Sequence, residues 1–454
     1  MSMYNADLAF DKAPPIDAPF RFFLTAPLFG MAAAVVLGWY GSEALGTRWA
    51  PPLLSATHLM TLGVLAMVMF GAVIQMVAVV AGSPAARPRL LGGAVHILLT
   101  LGVVSLGIAF LNHQALWMRV SVVLLSLGIA TFVALALIAL ARAPRAHDTV
   151  LGMELAVTAL AVTLGMGLTL AAGHGFDGVP LHRIPLTNIH LVWGIAGWVG
   201  LLVVGVAFQV VPMFQITPSY PDWMTRWLVR LLFAGLVLWS SSDLLLFWYE
   251  WHWDWPMRVG GGVLLAGYAA FAIVTLRLQA RRRRRLPDVT TNFWRVGMVS
   301  LLLGGATWAL AQFWEGFADH RLYGLLLGVL LIGGFAWSVV NGMLYKIVPF
   351  LAWFHLQNRM LNITRPRPVS IPNMKQIVPD AAARRQFRFH VVALLLLLAA
   401  LFQPVAFVHA AALAFFVSFA LLGWNILSAS RIYHRHLRQI TTPPADTPAD
   451  TPAT

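Results

Sequence analysis

The stretch NIHLVWGIAGWVGLLVVGVAFQVVPMF, Asn188 to Phe214, decides the reading of this chain: an apolar helix opened by His190, lined with glycines and closed by Gln-Val-Val-Pro. Two other segments vary it. THLMTLGVLAMVMFGAVIQMVAVV, Thr57 to Val80, has His58 in the place of His190, Gly71 for Gly205 and Gln75 for Gln209, so both keep Gly-x-x-x-Gln. The segment Leu327 to Leu351 repeats the closing half, Gly342-x-x-x-Lys346-x-x-Pro349 against Gly205-x-x-x-Gln209-x-x-Pro212, without the histidine.

The surrounding composition belongs to a membrane protein. Of 454 residues 59% are hydrophobic and 11% charged, and the mean hydropathy is +0.76. Runs near 20 apolar residues recur, the length a helix needs to cross the hydrocarbon. Alternation is too weak for a β-barrel, so the backbone satisfies its hydrogen bonds within helices. With no cysteine, disulfides, thiolate-bound iron–sulfur clusters and covalently attached c-type haem are excluded. The net charge of +14 sits in short loops between apolar runs, a pattern that orients spans rather than one that binds nucleic acid. No basic n-region precedes a cleavage site at the start, so no signal peptide is evident.

Apolar runs bounded by Pro, Gly and charge predict about twelve spans, near 20–41, 53–81, 90–111, 117–141, 150–172, 186–214, 226–248, 257–278, 293–314, 323–352, 388–403 and 405–430, the last two forming a hairpin at Gln403-Pro404. Alternating sides from a cytoplasmic N-terminus places 26 of the 31 basic residues inside; Arg48, Arg119, Arg183, Arg258 and Arg321 are the five outside. That asymmetry supports both termini in the cytoplasm of a bacterial-type inner membrane. The three related segments become spans 2, 6 and 10, with Gly71, Gly205 and Gly342 spaced 134 and 137 residues apart. The expected fold is all-α: three pseudo-repeated four-helix units, about 20–141, 150–278 and 293–430, between an N-terminal segment 1–19 and a low-complexity tail 431–454. Glycines at three- and four-residue spacing let neighbouring helices approach closely. The Trp-rich stretch Leu244 to Met257 reads as an interfacial aromatic belt, and the run Arg281 to Arg285 as an anchor to anionic lipid.

Topology gives each histidine a depth. His58 and His190 open spans 2 and 6 near the outer face, and His409 shares that level at the start of span 12. Neutral imidazole donates to a metal without bringing charge into hydrocarbon, which makes these three candidate ligands. His96 and His390 fall toward the inner side and read as packing residues. His113, His174, His182, His252 and His320 fall on outer loops or their margins, and His434 and His436 follow the last span. Met60, Met67, Met69 and Met76 fill span 2; thioethers suit Cu(I) but more often fill irregular packing. Glu154 and Asp243 are candidate proton or ion sites, and Lys346 can snorkel to the inner face. No Walker A, Ser-His-Asp or dinucleotide fingerprint is present, so no enzyme motif is read.

Twelve spans in three units, with histidines opening spans 2 and 6, resemble the catalytic subunit I of haem-copper oxidases, including cytochrome c oxidase. The resemblance implies that His58 ligates a haem and His190 ligates copper. The start of span 10, DHRLYGLLLG (Asp319 to Gly328), is similar to the family's His-Phe-His-Tyr stretch; His320 is kept and Leu322 replaces the second histidine. The family's His-Pro-Glu-Val-Tyr on span 6 and paired histidines at span 7 are absent, so no binuclear centre forms from these residues. A second resemblance is to NnrS-type proteins, divergent relatives that bind haem and copper and act in nitric oxide resistance, although their Trp-His-x-His-Glu and Gly-His-Thr-Gly-Arg stretches are missing here.

The expectation is a haem b protein, with copper as a further cofactor, in which His58 and His190 are metal ligands and His320 and His409 further cofactor-binding candidates. It would serve electron transfer or nitrosative-stress handling, with the lipid bilayer, a redox partner or oxidase subunits as its partners. A cofactor-free proton-coupled transporter, or an oxidase-like partner or assembly subunit, is the alternative. The topology predicts that alkaline phosphatase fused in the loop carrying Arg119 is active, and that a fluorescent protein fused after Thr454 folds on the inner side. An inactive phosphatase at the first site would reverse the orientation.

Overall fold

The computed structural model describes residues 12–80, 82–84, 86–143, 148–176, 183–249, 255–283, 288–361 and 369–441, without the side chains of 183 and 242–249. His147, His182, His252, the Asp243 side chain and the Thr-Pro-rich stretch from 442 lie outside this set. Eleven helices are long and apolar enough to cross a membrane: α1 (Asp17–Leu45, its last turn 3-10), α2 (Pro51–Val79), α3 (Pro88–Asn112), α4 (Ala115–Ala141), α5 (Asp148–Gly175), α6 (Ile184–Gln215), α8 (Trp255–Ala280), α9 (Val289–Phe313), α10 (Arg321–Leu361), α11 (Asp380–Phe402) and α12 (Pro404–Thr441). A further long helix, α7 (Asp222–Tyr249), stands between α6 and α8. The protein is an all-α, multi-pass membrane protein.

Lengths of 23 to 41 residues correspond to roughly 35–60 Å at about 1.5 Å per residue, enough for a hydrocarbon core of about 30 Å with turns to spare. The excess falls at one end. α10 and α12 run to Leu361 and Thr441, well past the apolar windows that end near 352 and 430. The helix therefore continues through RIYHRHLR, where the sequence reading began the tail. At Gln403 the backbone leaves the helical region (φ −132°, ψ 72°) and Pro404 restarts it, giving the antiparallel α11–α12 hairpin.

Helix contacts follow a closed circuit, α1–α3–α4–α5–α7–α8–α9–α11–α12 and back to α1. The three helices left out of this circuit, α2, α6 and α10, stand inside it and meet one another. Burial agrees: 78%, 61% and 56% of their most apolar windows are buried, against 50% or less for the other scored helices. These are the three related segments of the sequence.

Each inner helix contains a π-helical stretch: Leu59–Ala66, Trp193–Gly200 and Val329–Trp337. They begin 134 and 136 residues apart, in step with the glycine spacing. A π turn takes an additional residue, so it rotates the face shown by the outer half of the helix relative to the inner half. The glycines mark the crossings. A Cβ on Gly71 would lie 3.0 Å from Pro19 O of α1, one on Gly205 2.8 Å from Gly152 Cα of α5, and one on Gly342 3.3 Å from Thr290 O of α9. In all three places an inner helix crosses the helix before it at backbone contact.

Pro27, Pro212 and Pro349 lie within helices, which packed membrane helices tolerate where neighbours satisfy the released carbonyl. Lys346 pairs with Asp288 at 2.7 Å, and Asp288 caps α9 by accepting from the Thr290 amide.

The α5–α6 crossing leaves no room for added bulk. Gly152→Ala puts a methyl group 2.7 Å from Gly205 Cα, where only backbone could give way, and is expected to destabilise by about 1–3 kcal/mol. Gly262→Ala enters open space and is expected to be neutral or slightly stabilising. Thermal aggregation midpoints in detergent would show both, and equal midpoints would refute the crossing.

Candidate functional site

Near the N-terminal starts of α2 and α6, two histidines face one cavity. His58 is the last residue before the π stretch of α2, and His190 lies one turn before that of α6. The cavity has a volume of about 1200 Å³, and both histidines line it. It passes all three inner helices and is mostly apolar, with a polar rim that includes Arg48, His174, Asn188, His320, Arg321 and Tyr323.

The tautomer of each ring follows from its partner. His58 Nδ1 is 2.8 Å from the Leu54 carbonyl and His190 Nδ1 3.1 Å from the Thr163 carbonyl. A carbonyl oxygen only accepts, so in both rings Nδ1–H donates and the lone pair resides on Nε2. Such a bond is the usual support of a metal-ligating imidazole, because it sets both ring orientation and tautomer. Both side chains are half-buried.

The pair geometry is specific. The ring centroids are 6.5 Å apart and the planes 18° from parallel. That is far beyond contact stacking, which this protein shows elsewhere: Phe70 and Phe132 lie 3.6 Å apart at 4°. End-to-end coordination of one metal by two imidazoles places the ring centres about 6.3 Å apart, given metal–nitrogen bonds near 2.0–2.1 Å. The observed separation fits one metal centre shared by the two rings.

Neighbours hold the rings in place. The Phe110 ring is 5.1 Å from His58. His190 rests on Gly167 of α5, where a Cβ would come within 2.8 Å of Cε1; only glycine admits the ring there. At the rim, Arg48 donates to Asn188 Oδ1 at 3.1 Å, two residues before His190, and its guanidinium lies 4.5 Å from the Trp49 ring centre. Burial pushes the Arg48 pKa down from its ordinary value, with the Tyr323 phenol acting the other way. Arg321 reaches the carbonyls of Leu45 and Leu401, tying α10 to α1 and α11.

The other two candidates are placed differently. His320 lines the cavity, but its Nδ1 accepts the Leu322 amide at 3.2 Å and caps the start of α10. Its lone pair is therefore used, and Nε2 carries the proton. His409 is exposed on α12 beside Gly41 and is not part of the cavity lining. His174, which reads from the sequence as a loop-margin residue, does face the cavity, its Nδ1 donating to Leu170 O at 2.9 Å. It lies two turns along α5 from Gly167, on the same face. The length of α5 beyond its apolar run is the one signal that could have placed it.

Among the described residues, no group of three or more His, Asp or Glu side chains comes together as a metal site. His58 and His190 stand as a pair. No protein-family model matches the chain, and no curated protein matches it.

Proposed function

We propose that this chain is a membrane haem protein in which His58 and His190 would together hold one haem b. The observation that carries the reading is the pair itself: two imidazoles from different helices, each with Nδ1 held by a carbonyl and the lone pair on Nε2, at a spacing that suits one metal between them. This differs from the family resemblance, in which the two histidines serve different metals. Copper(I) would accept two imidazoles as well. The cavity size favours the larger group, since about 1200 Å³ exceeds the roughly 300–1,000 Å³ of ordinary small-molecule sites.

Haem iron held in this way would supply one-electron chemistry. The residues bind and orient: the Leu54 and Thr163 carbonyls hold the imidazoles, Gly167 leaves room for His190, and the apolar lining limits water. A haem held by both imidazoles would supply electron transfer. A redox partner would reach the site from the outer rim.

The same reading includes the fold. Twelve spans in three four-helix units, as in haem-copper oxidase subunit I, are supported by the three inner helices with matching π stretches and glycine crossings. Both termini on the inner side of a bacterial-type inner membrane follow from the arginine asymmetry.

The test is the absorption spectrum of detergent-purified protein, oxidised and dithionite-reduced, with iron and copper measured in each sample. A Soret band with sharp reduced α and β bands is expected, lost in His58→Ala and His190→Ala and strongly diminished in Gly167→Val, while His409→Ala keeps it. A folded, colourless, metal-free wild-type protein would overturn the haem reading and leave a cofactor-free proton-coupled transporter as the better account.

A further inference from the structure

The α11 helix carries charge and hydrocarbon on one exposed face. Its first turns read DAAARRQFRFHVVALL, Asp380 to Leu395. Ala383, Gln386, His390, Ala393 and Leu394 are buried against the bundle, a period of three to four residues that turns the remaining positions outward. Arg384, Arg385 and Arg388 are exposed. The same face continues through Phe389, Val392 and Leu395, with 38%, 47% and 59% exposure.

The α11–α12 hairpin sets the depth of these arginines. Gln386 Nε2 donates to Ser418 Oγ at 2.9 Å, and Ser418 stands near the middle of the apolar run 405–430. Counted from the turn at Pro404, Arg388 and Arg384 stand roughly 18 and 24 Å along the hairpin at about 1.5 Å per residue. Both fall short of the far edge of a hydrocarbon core of about 30 Å. A cation facing lipid at that depth is costly, and is kept where it meets an anion or reaches up to the headgroups.

The chain itself supplies no anion here. None of the three guanidiniums forms an ion pair or hydrogen bond with the described residues. Asp380, one turn before Arg384, pairs with Lys375 at 2.8 Å. At the same end of the bundle Asp17 pairs with Arg21 and Arg89, Asp148 with Arg230 and Asp288 with Lys346. Among the described residues only Asp222 is left at that end as an exposed carboxylate without an ion pair, so a second copy of the chain has little to offer the arginines.

The anion must also carry hydrocarbon, because Phe389, Val392 and Leu395 extend the face from the arginines toward the middle of the bilayer. A phospholipid has this shape. Arg384 and Arg388 lie one turn apart on one side of the helix, and their guanidinium forks match phosphate oxygens. Basic sites on membrane helices recognise anionic headgroups in this way.

We propose that this face of α11 is a binding site for one anionic phospholipid. Arg384, Arg385 and Arg388 hold its phosphate, and an acyl chain follows Phe389, Val392 and Leu395. The site lies toward the end of the bundle opposite the histidine pair and stands whether or not haem is bound.

Native mass spectrometry of the detergent-purified protein tests the site by titration with dioleoyl phosphatidylglycerol or dioleoyl phosphatidylcholine, which differ only in headgroup. Wild-type protein is expected to hold the first phosphatidylglycerol at least fivefold more tightly than phosphatidylcholine. Arg384→Gln combined with Arg388→Gln is expected to remove that preference. Arg142→Gln, at an exposed position on the same end of the bundle, is expected to keep it. Equal affinity of the wild type for the two lipids would overturn the proposal without any variant having to fold. A preference that survives the double variant, or that Arg142→Gln lowers as much, would reduce it to general surface charge and overturn the site. A dimer that the double variant dissociates, with no lipid preference, would give the face to a second copy instead.

Discussion

The glycine crossings of the three inner helices are the constraint on which the rest depends. In lipid no hydrophobic force drives one helix against another, so close backbone approach and van der Waals contact hold the bundle together. Gly71, Gly205 and Gly342 give α2, α6 and α10 that contact with α1, α5 and α9. With the inner helices seated, their outer ends project His58 and His190 into one cavity. The intervening π stretches let α2 and α6 keep their glycines at the crossings and still turn His58 and His190 toward the cavity.

The two ends of the bundle use polar groups differently. At the end that carries the cavity the free groups are lone pairs, on Nε2 of two imidazoles whose other nitrogen is fixed by a carbonyl. The proposed haem site uses these lone pairs. Where α10, α11 and α12 meet, the free groups are mixed donors and acceptors on neutral side chains. In a medium of low dielectric an unpaired polar group is costly, which makes such clusters conspicuous.

Much of this was legible in one dimension. Span positions follow from runs of apolar residues, since twenty in a row satisfy the bilayer whatever they pack against; the observed helix limits depart mainly at α10 and α12, where polar, basic sequence continues as helix outside the hydrocarbon. The kinship of the three inner segments was visible in Gly-x-x-x-Gln and Gly-x-x-x-Lys, and His58 and His190 stood out as intramembrane imidazoles. His409 shared their approximate depth and His320 stood at an outer-loop margin, but position along a helix says nothing of rotation about it. One became a helix cap and the other faces outward.

What the sequence by itself determined is therefore the class of the protein, the extent of its helices and the short set of residues able to bind a metal, because these depend on local composition and period. Only the tertiary structure decided which of those residues meet. The 6.5 Å approach of His58 and His190 joins residues 132 positions apart and rests on Gly167 of a third helix. The buried hydrogen bonds Ser338–His390 and Gln386–Ser418 likewise join three helices. Contacts of this kind arise from how helices rotate and cross, and that rotation is set by the whole bundle at once, not by any one segment.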